Sequence, residues 1–132
     1  MVLAITGGLT FADNPGKGFL ITTNMNQYLL VKFPAGVLTL CALDTNNDWI
    51  GCTLEPRQAP SAPLAQVSIP VRFRHAGTMP GVTADATPIA AGALVYKGAA
   101  GTLTATSTGS VAVGIALIAV TGAGLYFEYM PY

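Results

Sequence analysis

Charge is what this sequence has least of. Only 9% of its 132 residues are Asp, Glu, Lys or Arg, six acids against six bases, and the formal net charge is zero. An average soluble domain carries about 25%. A nucleic-acid binder needs clustered Lys and Arg to meet phosphates. The one basic cluster, Arg72-Phe73-Arg74-His75, is too small for that and reads as the polar face of a strand. With so few charges, a wet surface must come from Ser, Thr, Asn and Gln, or else be buried against partners. Low charge at zero net charge favours association. The composition therefore points to an obligate oligomer or a component of an assembly.

Residues that carry chemistry are equally scarce. His75 is the single imidazole, and a triad would need Asp85 with Ser110 or Ser61 to complete it. No Gly-x-Ser-x-Gly elbow is present, so no catalytic residue is expected. Two cysteines, Cys41 and Cys52, with one histidine do not make a metal site. In a chain made in a cytosol both are expected to stay reduced and buried, although they could face each other across a hairpin. Asp44-Thr45-Asn46-Asn47-Asp48 offers four carboxylate or amide oxygen donors from its two Asp and two Asn, but not the order of an EF-hand loop, nor its twelfth-position Glu. It reads as a turn whose Asx side chains bond their own backbone. No cofactor is expected.

Long hydrophobic runs are missing too. Val111 to Val120 is interrupted by Gly114 and falls short of the ~20 residues that span a bilayer. Met1 to Ile5 has no basic flank, and Gly7-Gly8 stops the apolar run at once, unlike a signal peptide. Cytosolic synthesis and no membrane partner are the expectations.

What is present is a succession of short apolar runs of β-branched and aromatic residues, bounded by Gly, Pro, Ser, Thr or Asn. They are Phe19 to Thr23, Tyr28 to Phe33, Val37 to Ala42, Trp49 to Leu54 and Leu64 to Ile69. Val71 to Arg74 continues the last of these past Pro70. In the final third come Thr87 to Tyr96, Val111 to Leu117 and Leu125 to Met130. Three prolines make Glu55 to Pro63 a loop or extended edge, and Ala76 to Thr87 reads as a connecting loop. No window carries a helical period with caps. Met1 to Gly18 is expected to be an N-terminal arm or edge strand, and residues 19–132 a single β domain.

The chain also resembles itself. A shift of 63 residues lays Thr39-Leu40 on Thr102-Leu103, Ile50-Gly51 on Val113-Gly114 and Leu54 on Leu117. Past a two-residue gap, Leu64 to Pro70 lies on Leu125 to Pro131. A glycine weakens a strand, so its recurrence in both copies suggests a bulge or a close backbone approach. Chance matching between two Thr/Ala/Gly-rich segments is the competing explanation. The repeat, about 37–70 and 100–131, implies an all-β fold: a small barrel or sandwich built from two related β units, which limits exposed edges.

Four stretches carry a family resemblance: Gly92 to Tyr96, the loop around Gly101, Val113-Gly114-Ile115-Ala116, and Gly124 to Met130, with Trp49-Ile50-Gly51-Cys52 as an earlier copy. The pattern resembles the small phage proteins grouped as DUF2190, capsid decoration or cement proteins. It covers about Val37 to Tyr132, and departs from the family at Ala93, where an acidic residue is common, and in the Pro-rich loop. The resemblance implies a non-enzymatic virion structural protein, made in the host cytoplasm. It would bind the major capsid protein on the outer capsid surface as a homo-oligomer, a trimer, and stabilise the shell. Contacts are then expected from Pro56, Arg57 and Pro60 in the loop, from Arg72 and Arg74, from Tyr129 and Tyr132, and from the N-terminal arm. A second reading is a receptor-binding or carbohydrate-binding module using Trp49, Tyr96, Tyr126, Phe127, Tyr129 and Tyr132. On the closing strand Tyr126 and Glu128 share one face, while Phe127 and Tyr129 share the other.

Overall fold

In the computed structural model, residues 16–62, 65–75 and 77–132 are described. Among the described residues the fold is all-β, two five-stranded antiparallel sheets with two single 3-10 turns beside them. The first sheet holds β1 (Gly16–Leu20), β2 (Leu30–Lys32), β3 (Thr39–Leu40), β4 (Gly51–Thr53) and β5 (Ser68–Phe73), in the spatial order β1-β5-β4-β2-β3. The second holds β6 (Met79–Val82), β7 (Leu94–Lys97), β8 (Leu103–Thr104), β9 (Ala112–Ala116) and β10 (Tyr126–Pro131), in the order β6-β10-β9-β7-β8. Adding five to each strand number turns the first order into the second, so the chain is two β units of one topology.

The likeness extends to single hydrogen bonds. Met25 and Arg57 exchange backbone bonds of 2.9 and 2.8 Å, as Ile89 and Val120 do at 2.9 Å each. Ile21 N–H donates to Val67 and Thr83 N–H to Leu125. The 3-10 turns Pro34–Gly36 and Ala99–Gly101 share the same left-handed backbone, Ala35 and Gly36 at φ 51 and 81, Ala100 and Gly101 at φ 53 and 80. Gly51 lies opposite Val31 and Phe73, Gly114 opposite Val95 and Pro131. A Cβ at either glycine would sit on a backbone carbonyl of the closing strand, that of Arg72 or Met130. That close approach is the reason glycine recurs.

Two expectations are corrected. The closing strands correspond as Ser68–Phe73 with Tyr126–Pro131, burying Ile69 and Val71 in one unit where Phe127 and Tyr129 lie in the other. Aligning Pro70 with Pro131 had displaced them by three residues. Ala76 to Thr87 is also more than a connecting loop, because Met79–Val82 is an edge strand on β10. Pro80 is tolerated there because an edge strand needs no ladder donor on its outer side. Gly81 leaves the space that Tyr129 and Leu103 fill. Of the expected arm, residues 1–15 lie outside the described residues, and Gly16–Leu20 pair with β5 at the sheet edge.

Each unit has its own core, filled from matching positions. Met25, Val31, Leu38, Ile69 and Val71 lie in one, and Ile89, Val95, Leu103, Phe127 and Tyr129 occupy the equivalent places in the other. The second core also takes in Leu30, Cys41, Trp49 and Cys52 from the first unit. Burying side chains of this size contributes about 1.5–3 kcal/mol each, which joins the two units. Both cysteines are free thiols in that seam.

Candidate functional site

The most concentrated polar chemistry lies where the units meet. Lys97, at the end of β7, has no exposed surface, and its ammonium reaches into the Asp44–Asp48 turn of the first unit. It donates to Asp44 Oδ1 at 2.5 Å, to the Asn46 carbonyl at 2.7 Å and to Asp48 Oδ1 at 3.2 Å. Asp44 Oδ1 also accepts the Asn46 N–H at 3.0 Å, closing the Asx turn expected from the sequence. The lysine thus stands where a bound cation would have been placed by those acids. Burial alone would lower the Lys97 pKa, but the bonds to Asp44 and Asp48 outweigh it and the pKa is raised. The bond from Lys97 is the main cause holding the Asp44 carboxyl below its ordinary value. Lys32 adds a weaker cation 3.7 Å from Asp48 Oδ2.

A second cluster surrounds Arg74. Its guanidinium lies over the Trp49 ring, 4.2 Å from the centroid, and donates to Asn47 Oδ1 and to the carbonyls of Trp49 and Tyr132. Desolvation by burial lowers its pKa. Beside it, His75, Gly77, Thr78, Met130 and Tyr132 line a groove of about 390 Å³.

The seven expected contact residues fall in three places. Pro56, Arg57 and Pro60 lie on the loop after β4, where Arg57 pairs with Glu55 at 2.8 Å. Arg72, Arg74 and Tyr132 gather around the β5–β6 connection, with Arg72 Nε donating to the Thr78 carbonyl. Tyr129 is corrected. It is fully buried, its ring 6.4 Å from Trp49 and 6.1 Å from Phe127, and it supplies core rather than contact. Its partners on the other face, Tyr126 and Glu128, are exposed. Trp49 and Phe127, offered as surface aromatics, are also core.

The polar residues considered for catalysis are dispersed in structural bonds. Ser110 donates to the Lys97 carbonyl at 2.6 Å, while Asp85 accepts from the Thr87 N–H and the Thr104 hydroxyl. Among the described residues, no three His, Cys, Asp or Glu side chains are grouped to hold a metal ion. Burial pushes the thiols of Cys41 and Cys52 up to about 12, which leaves them unreactive at neutral pH.

A groove of about 620 Å³ also runs between the units, lined by Asn24, Asn26, Gln27, Thr83, Thr102 and Tyr126. At its edge Tyr28 has φ 64, the left-handed region, where the second unit uses Gly92 at φ 82. Both residues donate the same backbone bond, Tyr28 to Thr53 and Gly92 to Ala116. A bulky residue in that region is strained. Tyr28 gains in return an edge-to-face contact with Tyr126, centroids 5.0 Å apart.

No protein-family model and no curated protein matches the sequence. Among solved structures the chain is similar to the head fiber gp8.5 N base of bacteriophage phi29. The two share 13% sequence identity at a TM-score of 0.64, over 89% of this chain and 94% of that one. Both β units therefore belong to the shared architecture, and the likeness is one of fold.

Proposed function

We propose that this chain is a structural protein of a phage virion. It binds the major capsid protein on the outer face of a tailed-phage shell and stabilises that shell, as a decoration or cement protein. The observation that carries the reading is the match to a phage head fiber base over nearly all of both chains. The resemblance of Gly92 to Tyr96 and Val113 to Ala116 to the decoration family supports it, as does the low charge of the sequence. A surface with few charges can be covered without desolvating them. The role is non-enzymatic, without nucleic acid or membrane as partner, and the protein works as a homo-oligomer, a trimer. The test is co-sedimentation with capsids lacking this protein, followed by heat or osmotic challenge. Saturable binding at hundreds of copies per particle, with a raised disruption temperature, is expected. Shells that neither bind it nor gain resistance would end the reading.

One observation favours a glycan-binding module as a second reading. The exposed Tyr126 ring stands beside Gln27, whose amide donates to its hydroxyl at 2.9 Å, and beside Asn24 and Asn26. An aromatic plane with amides around it suits a sugar face. Binding of host-surface glycans that is lost in Tyr126→Ala, with no shell binding, would favour this reading.

A further inference from the structure

The two units make the same turn from different residues. Met25 with Arg57 and Ile89 with Val120 exchange matching backbone bonds, and a little further on Tyr28 and Gly92 donate matching ones. Across those fixed points the first unit runs Asn24-Met25-Asn26-Gln27-Tyr28 and the second Pro88-Ile89-Ala90-Ala91-Gly92. Met25 and Ile89 are both core. The turn is therefore satisfied by proline, alanine and glycine around one buried residue, and the fold does not call for amides and a tyrosine there. Asn24 does one local job, its Oδ1 accepting the Ala59 N–H at 2.7 Å. Asn26 is held through its backbone carbonyl, which accepts from the Thr53 hydroxyl, and among the described residues its side chain has no bond. Tyr28 is kept at φ 64, where glycine would be unstrained. Strain of this kind gathers at ligand sites.

These side chains border two grooves. Asn24 and Asn26 flank buried Met25 and point outward, lining both the groove of about 620 Å³ between the units and one of about 510 Å³ beside the loop after β4. The larger groove adds Gln27, Thr83, Thr102 and the exposed Tyr126 ring, and no charged residue lines it. The smaller holds Arg57, already paired with Glu55 at 2.8 Å.

We propose that Asn24 to Tyr28 is a binding segment for a linear, uncharged glycan chain, which lies through both grooves across the Asn24 and Asn26 side chains. This deepens the sugar reading above, on which it rests, by naming the segment and the class of ligand. An amide offers a donor and an acceptor side by side, as neighbouring sugar hydroxyls require. The Tyr126 ring gives the apolar face of a sugar a plane to lie on, and Tyr28 braces that ring edge to face. Both volumes fall in the range of about 300–1,000 Å³ usual for ligand sites. An acidic chain would meet no cation in these grooves that an acid does not already hold. Because the grooves meet at the amide pair, the ligand has room on both sides of it, which suits the inside of a chain.

Saturation-transfer NMR on the full chain tests this, with maltohexaose, cellohexaose, mannohexaose and penta-N-acetylchitopentaose as neutral probes and hexagalacturonate as the acidic one. At least one neutral chain is expected to bind, more tightly than the acidic one. Asn26→Ala/Gln27→Ala/Tyr28→Gly gives the first unit the residues that the second carries at those positions. It is expected to melt as a folded protein and to bind at least about tenfold more weakly. Asn26→Ala alone, which keeps the carbonyl that Thr53 reaches, decides the matter should the triple variant fail to fold, with a loss of about threefold expected. Undiminished binding by a folded variant overturns this proposal and leaves the sugar reading standing. Hexagalacturonate bound as tightly as the neutral chains overturns the uncharged ligand. A protein that binds none of the probes overturns both the proposal and the sugar reading.

Discussion

Replacing Lys97 by Met tests whether the junction between the units depends on its buried ammonium. Met keeps most of the aliphatic stem, so the core around it changes little in volume. Lost are the bonds to Asp44 Oδ1, Asp48 Oδ1 and the Asn46 carbonyl. Breaking a fully buried pair costs about 3–5 kcal/mol. Here the acid side chains are 29% and 36% exposed, so water replaces part of what the lysine supplied. A loss of about 2 kcal/mol is expected at neutral pH, which lowers Tm by about 7 °C for a chain of this length. The pH dependence follows from the two shifts. Asp44, held low when folded, stabilises above the ordinary carboxylate pKa, and that contribution is lost as pH falls through its folded value. Lys97, held high, stabilises below the ordinary lysine pKa and loses this as pH rises through its folded value. The gap between wild type and Lys97→Met is therefore widest between about pH 5 and 9 and narrows towards pH 3. Thermal melts followed by circular dichroism across that range decide it. Equal Tm values at pH 7, or a gap that stays constant down to pH 3, would refute the reasoning.

Gly114→Ala should cost about 3 kcal/mol or prevent folding, because the new methyl meets the Met130 carbonyl, which sheet pairing holds in place; urea titration reads this. Tyr28→Gly should be more stable than Tyr28→Ala by about 1 kcal/mol, since both lose the Tyr126 contact and only glycine relieves the left-handed backbone. Equal stabilities in denaturant melts would count against strain at Tyr28. Cys41 and Cys52 should resist a thiol reagent at pH 8 in the native protein and both react in denaturant, because their thiols are buried and pushed up to about 12.

The β class was legible because short β-branched runs between turn residues have few other solutions. The glycine pair Gly51 and Gly114 was legible for a similar reason: a strand keeps a glycine only where something stands too close for a side chain. Other parts were hidden by the same local logic. Met79–Val82 contains Pro80 and Gly81, and nothing in four residues says that this proline lies at a sheet edge with its neighbour making room for Tyr129. Lys97 stands just past the apolar run Thr87 to Tyr96, and its burial is decided by Asp44 and Asp48, 53 and 49 positions away on a turn of the other unit. Tyr129 was expected among the contact residues that follow from the family resemblance. Alternation along β10 placed Phe127 with it on one face, without saying which face was core.

In each sheet the first strand pairs with the last, β1 with β5 and β6 with β10. Neither unit can close until its final strand has left the ribosome, so folding must wait on long loop closures. The first unit, once closed, would still show Leu30, Cys52 and Trp49 to water and hold an acidic turn without its lysine. Docking of Leu94–Lys97 and Tyr126–Pro131 covers those side chains and supplies that lysine together, so the first half of the chain is complete only with the second folded against it. Trp49, the single tryptophan, sits in that seam and gives the event its own fluorescent signal.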